Sequence, residues 1–249
     1  MDWFARDFDC EAYFDLYRGK EQEAATEGPA LAGYLDLPPG AQVLDLPCGW
    51  GRLRPHLLAR GYASIGGDLS ALNLHRHRLE NPGPTARLDL RALPFRDRCA
   101  DGVLCAYTSW GYFRTPEENL LQLLEFARVL RPGGALVLDL VGRDGTARAI
   151  AKVEGRWLDL EEAGVPYRER VRWSPDRRRV LTDRTCRGSR FQHDIWLPTD
   201  REARHALDAA GLAVDRTWGG YQGEPREPLS ERWIYRAVKP GESPRSSSR

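Results

Sequence analysis

Lysine is nearly missing from this chain. Of 37 basic residues only Lys20, Lys152 and Lys239 are lysine, so almost every cation is a guanidinium, the side chain suited to paired, planar contacts with anions. A GC-rich coding sequence produces the same skew, so the bias by itself assigns no partner. Net charge is also scarce. The 36 acidic residues leave a formal charge of +1, which provides no whole-molecule field for drawing in nucleic acid or an anionic membrane. No apolar run approaches the ~20 residues that cross a bilayer, and no internal repeat is present. Cysteine is sparse and scattered over positions 10, 48, 99, 105 and 186 without a Cys-x-x-Cys pair. That pattern excludes a disulfide framework and gives no zinc-ligand spacing. The opening Met1-Asp2-Trp3-Phe4-Ala5-Arg6-Asp7 places acids where a leader carries positive charge. The expectation is a cytoplasmic protein with reduced thiols, no metal and no membrane partner.

What is present is enough chain for a large core. The 249 residues, 41% of them hydrophobic, exceed the ~150 of an average domain, so one large α/β domain or a core with an appendage fits. Phe4 and Phe8, then Tyr13, Phe14 and Tyr17, recur at helical spacing before Pro38-Pro39-Gly40. Ala41 to Leu46 reads as a buried strand stopped by Pro47 and Gly49, and Arg52 to Arg60 as a helix ended by Gly61. The alternation continues with strand 62–67, helix 70–79, strands 85–89 and 101–107, helix 116–130 and strand 135–141. Strands alternating with helices imply a doubly wound, mostly parallel sheet. Between Gly155 and Trp196 the period changes to two, with Ser174-Pro175-Asp176 as a turn, which predicts an antiparallel hairpin insert. A helix follows at 199–210, with Thr199 and Glu202 in capping-box positions, and strands 212–218 and 232–238 complete seven strands in the sheet.

The chemistry concentrates after the first strand. Val43-Leu44-Asp45-Leu46-Pro47-Cys48-Gly49-Trp50-Gly51-Arg52 is a strand, a glycine-containing turn and a helix start, the place where a nucleotide-like ligand meets an open α/β sheet. A dinucleotide fingerprint requires a third glycine where Arg54 stands. Asp45 at the strand end repels a pyrophosphate and welcomes a cationic group. A positively charged nucleoside fits better than NAD.

On these residues the chain resembles the class I S-adenosylmethionine-dependent methyltransferases. Four pieces between residues 40 and 142 carry the resemblance. Asp45 to Gly51 is similar to the family's first motif, with Pro47 in place of the usual first glycine; Ile65-Gly66-Gly67-Asp68-Leu69-Ser70 is similar to its second-strand end. Leu88-Asp89-Leu90-Arg91-Ala92-Leu93-Pro94-Phe95 resembles the adenine segment, and Phe126 to Gly134 the connection before strand five. The resemblance implies S-adenosyl-L-methionine as cofactor. It implies contacts from Tyr17, Asp45, Pro47, Gly49, Gly51, Asp68 and Leu69, with Asp68 on the ribose hydroxyls. It adds Asp89 and Leu90 at the adenine, and Ala106 and Tyr107 after strand four.

Cys105-Ala106-Tyr107-Thr108-Ser109-Trp110-Gly111-Tyr112-Phe113 looks like the Ser-x-Gly-Tyr segment of small-molecule N- and O-methyltransferases. It holds neither the N/D-P-P-Y/F signature nor the Pro-Cys of the DNA enzymes. The expected function is methyl transfer to a nitrogen or oxygen of a small-molecule acceptor, with positioning as the main device. The resemblance makes His193 and Tyr112 the catalytic candidates, and an imidazole with an unperturbed pKa near 6.5 suits a general base. Acceptor-binding candidates are Tyr13, Trp110, Tyr112, Arg190, His193 and Tyr221; for Tyr13 and Tyr17, packing of an amphipathic helix is an equal alternative. The implied division is a helical lid (1–40), a cofactor-binding core (41–150), an antiparallel β insert capping the acceptor (151–197), a C-terminal helix with the last strands (198–239) and a disordered tail (240–249). Residues 168–190 hold nine arginines against Glu169, Asp176 and Asp183. This local excess suits a solvated face, an anionic acceptor, a homodimer contact or RNA, the last making a tRNA or rRNA methyltransferase the alternative function.

Overall fold

The computed structural model describes residues 2–17 and 19–241; Met1, Arg18 and positions 242–249 of the expected tail lie outside the described residues. Three helices lead in, α1 (Trp3–Asp7), α2 (Glu11–Tyr17) and α3 (Lys20–Tyr34). The alternating part runs β1 (Gln42–Asp45), α4 (Arg54–Ala59), β2 (Ala63–Asp68), α5 (Ala71–Glu80), β3 (Thr85–Arg87), β4 (Ala100–Cys105), α6 (Pro116–Val129) and β5 (Leu130–Val141). Next come α7 (Arg143–Ala151), β6 (Trp157–Glu162), β7 (Val165–Trp173), β8 (Arg179–Cys186) and β9 (Ser189–Trp196). The chain finishes with α8 (Asp200–Ala209), β10 (Ala213–Trp218) and β11 (Arg232–Val238).

Seven strands form one sheet in the order β10-β11-β5-β4-β1-β2-β3. Pairing is parallel from β5 through β3, and β11 runs antiparallel to both β5 and β10. The central strands are largely apolar and buried because helices cover both faces. Leu123 and Phe126 of α6 with Ala203 and Leu207 of α8 pack one side, and Leu31 of α3 with Leu57 of α4 packs the other. Thr115 and Thr199 each close a capping box, with Glu118 and Glu202, that fixes the start of α6 and α8. Among the described residues no helix is long and apolar enough to cross a membrane. After β3 the chain crosses back to lay β4 on the other side of β1. A crevice therefore opens at the carboxyl ends of β1 and β4, the point where the winding reverses.

The insert is larger than the hairpin its sequence suggests. The β7–β8 hairpin is the centre of a four-stranded antiparallel sheet, β6-β7-β8-β9. Its outer strands were hidden because β6 and β9 interrupt their apolar positions with charge, as in Asp159, Glu161 and Asp194. Helix α7 was also unread, since among its residues only Ile150 is buried. Strand β5 starts at Leu130, through Arg131-Pro132-Gly133-Gly134, and the register with β4 shifts between Ala100 and Gly102.

Core and insert are joined at Gly111, whose carbonyl accepts the Trp196 amide at 2.8 Å. Its φ is +111°, and a Cβ there would lie 2.3 Å from the Trp196 carbonyl oxygen. Gly111→Ala should cost at least about 1–3 kcal/mol, which at about 2–4 °C per kcal/mol is a Tm fall of roughly 2–12 °C by calorimetry. An unchanged Tm contradicts this account of the junction.

Candidate active site

The turn after β1 is held by Asp68 at the end of β2. One carboxylate oxygen of Asp68 accepts the Gly49 amide and the other the Ser70 amide, each at 2.8 Å. Gly49 and Gly51 have φ of +53° and +84°, and a Cβ on Gly51 would meet the His77 ring at 2.5 Å. Gly51 therefore shapes the turn from behind. Asp45 is buried, and neither of its carboxylate oxygens has a hydrogen-bond partner. Burial and the nearby Asp68 push its pKa up to about 8, against a smaller opposing pull from Arg52. Burial also raises Asp68, while its amide hydrogen bonds oppose the rise.

Above this turn lie two connected compartments that share Phe8, Pro47, Asp68, Ser109 and Tyr112. Leu69, Leu88, Asp89, Leu90 and Phe4 line the first. Gly49, Arg52, Tyr107, Tyr13, Tyr17 and His193 are among those lining the second. Helix α1 borders both, and α2 borders the second. Their grip on the core is polar: the Ser70 hydroxyl donates to Asp9 at 2.8 Å and Arg76 pairs with Glu11. On the insert side, Arg184 donates to the Tyr17 hydroxyl, and Asp7 accepts the Gln192 amide at 2.9 Å.

His193 comes from β9 and faces the second compartment. Its ring lies 4.8 Å from Trp3 and 5.6 Å from Tyr13, centre to centre, and Trp3 lies 4.9 Å from Tyr112. Its buried Nε2 has no partner. Burial, then Arg184 and Arg6, depress the pKa to about 3. The unperturbed value assumed for a general base is thus not what the fold provides: His193 is a neutral imidazole offering a lone pair. Burial raises the Tyr112 phenol as well.

Other expected residues divide. Asp89 lines the first compartment but is engaged by Arg91 through its side chain at 2.7 Å and its amide at 2.9 Å. Burial pushes the Asp89 pKa up, and these bonds outweigh it and bring it down. Ala106 packs in the core, and its carbonyl accepts the Ser109 hydroxyl at 2.7 Å, so it lines neither compartment. Trp110 is fully buried, with its indole N–H on the Asn119 carbonyl at 2.9 Å, and presents nothing to an acceptor. Arg190 points away, because Phe191 and His193 occupy the inward face of β9 and strand alternation sends Arg190 to the other. Tyr221 lies outside both compartments and donates to Asp139 at 3.2 Å.

Asp139, fully buried at β5, was not anticipated. It accepts the Tyr107 amide and the Arg232 Nε, both at 2.8 Å, while its carbonyl accepts the Thr108 amide at 2.9 Å. These bonds hold Tyr107 and Thr108 at φ of +58° and +61° and so place the Ser109 to Tyr112 wall. Arg52, also missed, stands 4.3 Å over the Tyr107 ring and 4.7 Å over Trp50; its position directly after the glycine turn was the available signal. Trp3 had none, lying before any periodic segment.

Two outcomes follow from the electrostatics. Asp45 binds a proton more tightly folded than unfolded, so its contribution to stability is full below about pH 4 and is lost as pH rises toward 8. The Tm of Asp45→Asn relative to the parent should therefore climb between pH 5 and pH 8 in ligand-free protein; a constant difference contradicts the raised pKa. By NMR the His193 imidazole should keep its neutral shifts from pH 5 to pH 8, and a midpoint inside that range contradicts its depressed pKa.

Residues 44–138 match the family described as methyltransferase domain. Over 237 residues the chain is 28% identical to the dTDP-3-amino-3,4,6-trideoxy-alpha-D-glucopyranose N,N-dimethyltransferase of Streptomyces venezuelae, covering 86% of this chain and 94% of that protein. A ubiquinone biosynthesis O-methyltransferase of Xanthomonas campestris matches at 29% over 48% of this chain and 51% of its own length. Among solved structures, the CcbJ methyltransferase of Streptomyces caelestis superposes with a TM-score of 0.78 at 16% identity, over 92% of this chain and 98% of that one. The S-adenosylmethionine-bound CalS10 of Micromonospora echinaspora, an amino pentose methyltransferase, gives 0.64 at 20% identity over 92% and 97%. The structures share the fold, and the domain match with the full-length relative makes the chain a methyltransferase that uses S-adenosylmethionine.

Proposed function

We propose that this methyltransferase acts on the nitrogen of a small-molecule amine, and that an amino sugar is the substrate class, as the name of the Streptomyces venezuelae relative states for that enzyme. The supporting observation is the neutral, unpartnered Nε2 of His193 among the rings of Trp3, Tyr13 and Tyr112. An amine attacks as the free base and becomes a cation as the methyl arrives. The imidazole lone pair accepts its N–H, and aromatic faces stabilise the growing charge by about 0.5–2 kcal/mol. A hydroxyl gains nothing from those faces and needs a base, which an imidazole with a pKa of about 3 supplies poorly.

The cofactor brings an activated methyl group on a cationic sulfur. In this reading Asp45 supplies the negative charge beneath it, Asp68 takes the ribose hydroxyls, and Leu69, Asp89 and Leu90 border the base. Pro47 and Gly49 bring the backbone close, Arg52 faces the methionine carboxylate, and Tyr17 closes the methionine end. Helices α1 and α2 act as the lid and the insert as the acceptor cap. Holding nucleophile and methyl in line accounts for about 7–11 kcal/mol of barrier lowering without a reacting side chain.

RNA is disfavoured by pairing within the insert. Arg179 pairs with Asp194, Arg187 with Asp15 and Arg178 with Glu202, three acids outside the counted segment, which halves the local excess of nine arginines over three acids. Labelled-methyl transfer should go to amino sugars and not to their hydroxyl analogues. His193→Phe should lower kcat/KM by about tenfold or more while S-adenosylhomocysteine affinity holds within about threefold. Equal transfer to hydroxyl analogues contradicts the nitrogen assignment.

A further inference from the structure

The insert sheet has a second face, turned away from the cavity. Strand register brings Trp157 opposite Arg170, Arg170 opposite Asp183, and Asp183 opposite Gln192. With Arg168, Arg190 and, from helix α1, Arg6, these residues line a groove of about 490 Å³. The less fully compensated arginines of the insert collect here, and Arg6 pairs with its neighbour Asp7 at 2.6 Å. Arg170 and Arg172 divide the single carboxylate of Asp183. Arg168 pairs with Asp159, which is 83% exposed, and such a pair is worth little. Arg190 has no ion pair or hydrogen bond among the described residues. An aromatic ring stands among these charges: the Arg170 and Arg168 guanidiniums lie 5.0 and 5.5 Å from the Trp157 ring, which is 38% exposed.

We propose that this groove is a binding site for a nucleoside diphosphate, its phosphate oxygens held by Arg6, Arg168, Arg170 and Arg190 and its base laid against Trp157. Guanidinium groups present planar forks that match phosphate oxygens two at a time, and an indole face accepts any base by stacking. The site goes beyond the methyl-transfer reading, since the insert sheet separates it from the compartment that holds His193. It is nevertheless coupled to the lid. Arg6 lies in the helix that carries Trp3 and Phe4 over the cavity, and Asp7 beside it accepts the Gln192 amide of β9. A diphosphate bridging Arg6 and the strand arginines therefore fastens α1 to the insert.

Uridine diphosphate is the suitable probe, because its base is not the one the cofactor carries. Calorimetry on the full chain should show saturable, one-site binding of uridine diphosphate that weakens as salt is raised. Arg168→Gln combined with Arg190→Gln should weaken it by at least about tenfold. Trp157→Ala should weaken uridine diphosphate but leave inorganic pyrophosphate unchanged. S-adenosylhomocysteine affinity should be the same in all variants, which separates loss of the groove from misfolding and from failure of the methyltransferase reading. Absence of saturable uridine diphosphate binding, binding indifferent to these substitutions, or binding of polyuridylate alone would overturn the proposal.

Discussion

A buried carboxylate without a partner sits at the end of the central strand, and the surrounding architecture is arranged around it. Asp45 ends β1 between β2 and β4; it lines neither compartment itself, whereas Pro47 and Gly49 just after it line the second. A second buried acid, Asp68, stands close enough to raise its pKa. Two neighbouring carboxylates with one guanidinium leave a negative deficit that folding alone does not compensate. On the proposed assignment a cofactor with an ammonium and a sulfonium does, and the site is costly without its ligand and complementary to it, the usual exchange of stability for function at a binding centre.

The acceptor side depends on a different device. Asp139 stitches the left-handed pair Tyr107–Thr108 to β5, and Arg232 and Tyr221 complete its shell. The Ser109 to Tyr112 wall is consequently a rigid extension of the sheet. Facing it, α1 and α2 are tied to the core through Ser70 and Arg76 and to the insert through Arg184, Arg187 and Gln192. Core and insert are themselves joined directly, by the Trp196 amide on the Gly111 carbonyl.

The cofactor half was legible because its signals are local. Asp45, the glycine turn and Asp68 are close in sequence, and the strand–helix alternation announces the sheet on its own. Residues whose roles depend on long-range pairing were misread. Trp110 and Tyr221 look like acceptor contacts in a loop, yet one is captured by Asn119 and the other by Asp139. Arg190 fell to strand alternation, a one-residue matter that a hairpin of uncertain register does not fix. His193 was placed in the insert but given the wrong proton affinity, since burial and then Arg184 and Arg6, from separate elements, act on it. The arginine excess was counted along the chain, whereas Asp15, Asp194 and Glu202, which halve it, lie outside the counted segment.

The central claim is that the charge on Asp45 is restored by a cationic cofactor. Calorimetry of S-adenosylmethionine binding near pH 7, repeated in buffers of different ionisation enthalpy, measures the proton that must leave when a carboxyl with a pKa of about 8 becomes ionised. The account predicts net proton release of a large fraction of one proton per site, lost in Asp45→Asn. Binding that exchanges no proton, or releases the same amount in Asp45→Asn, would contradict it.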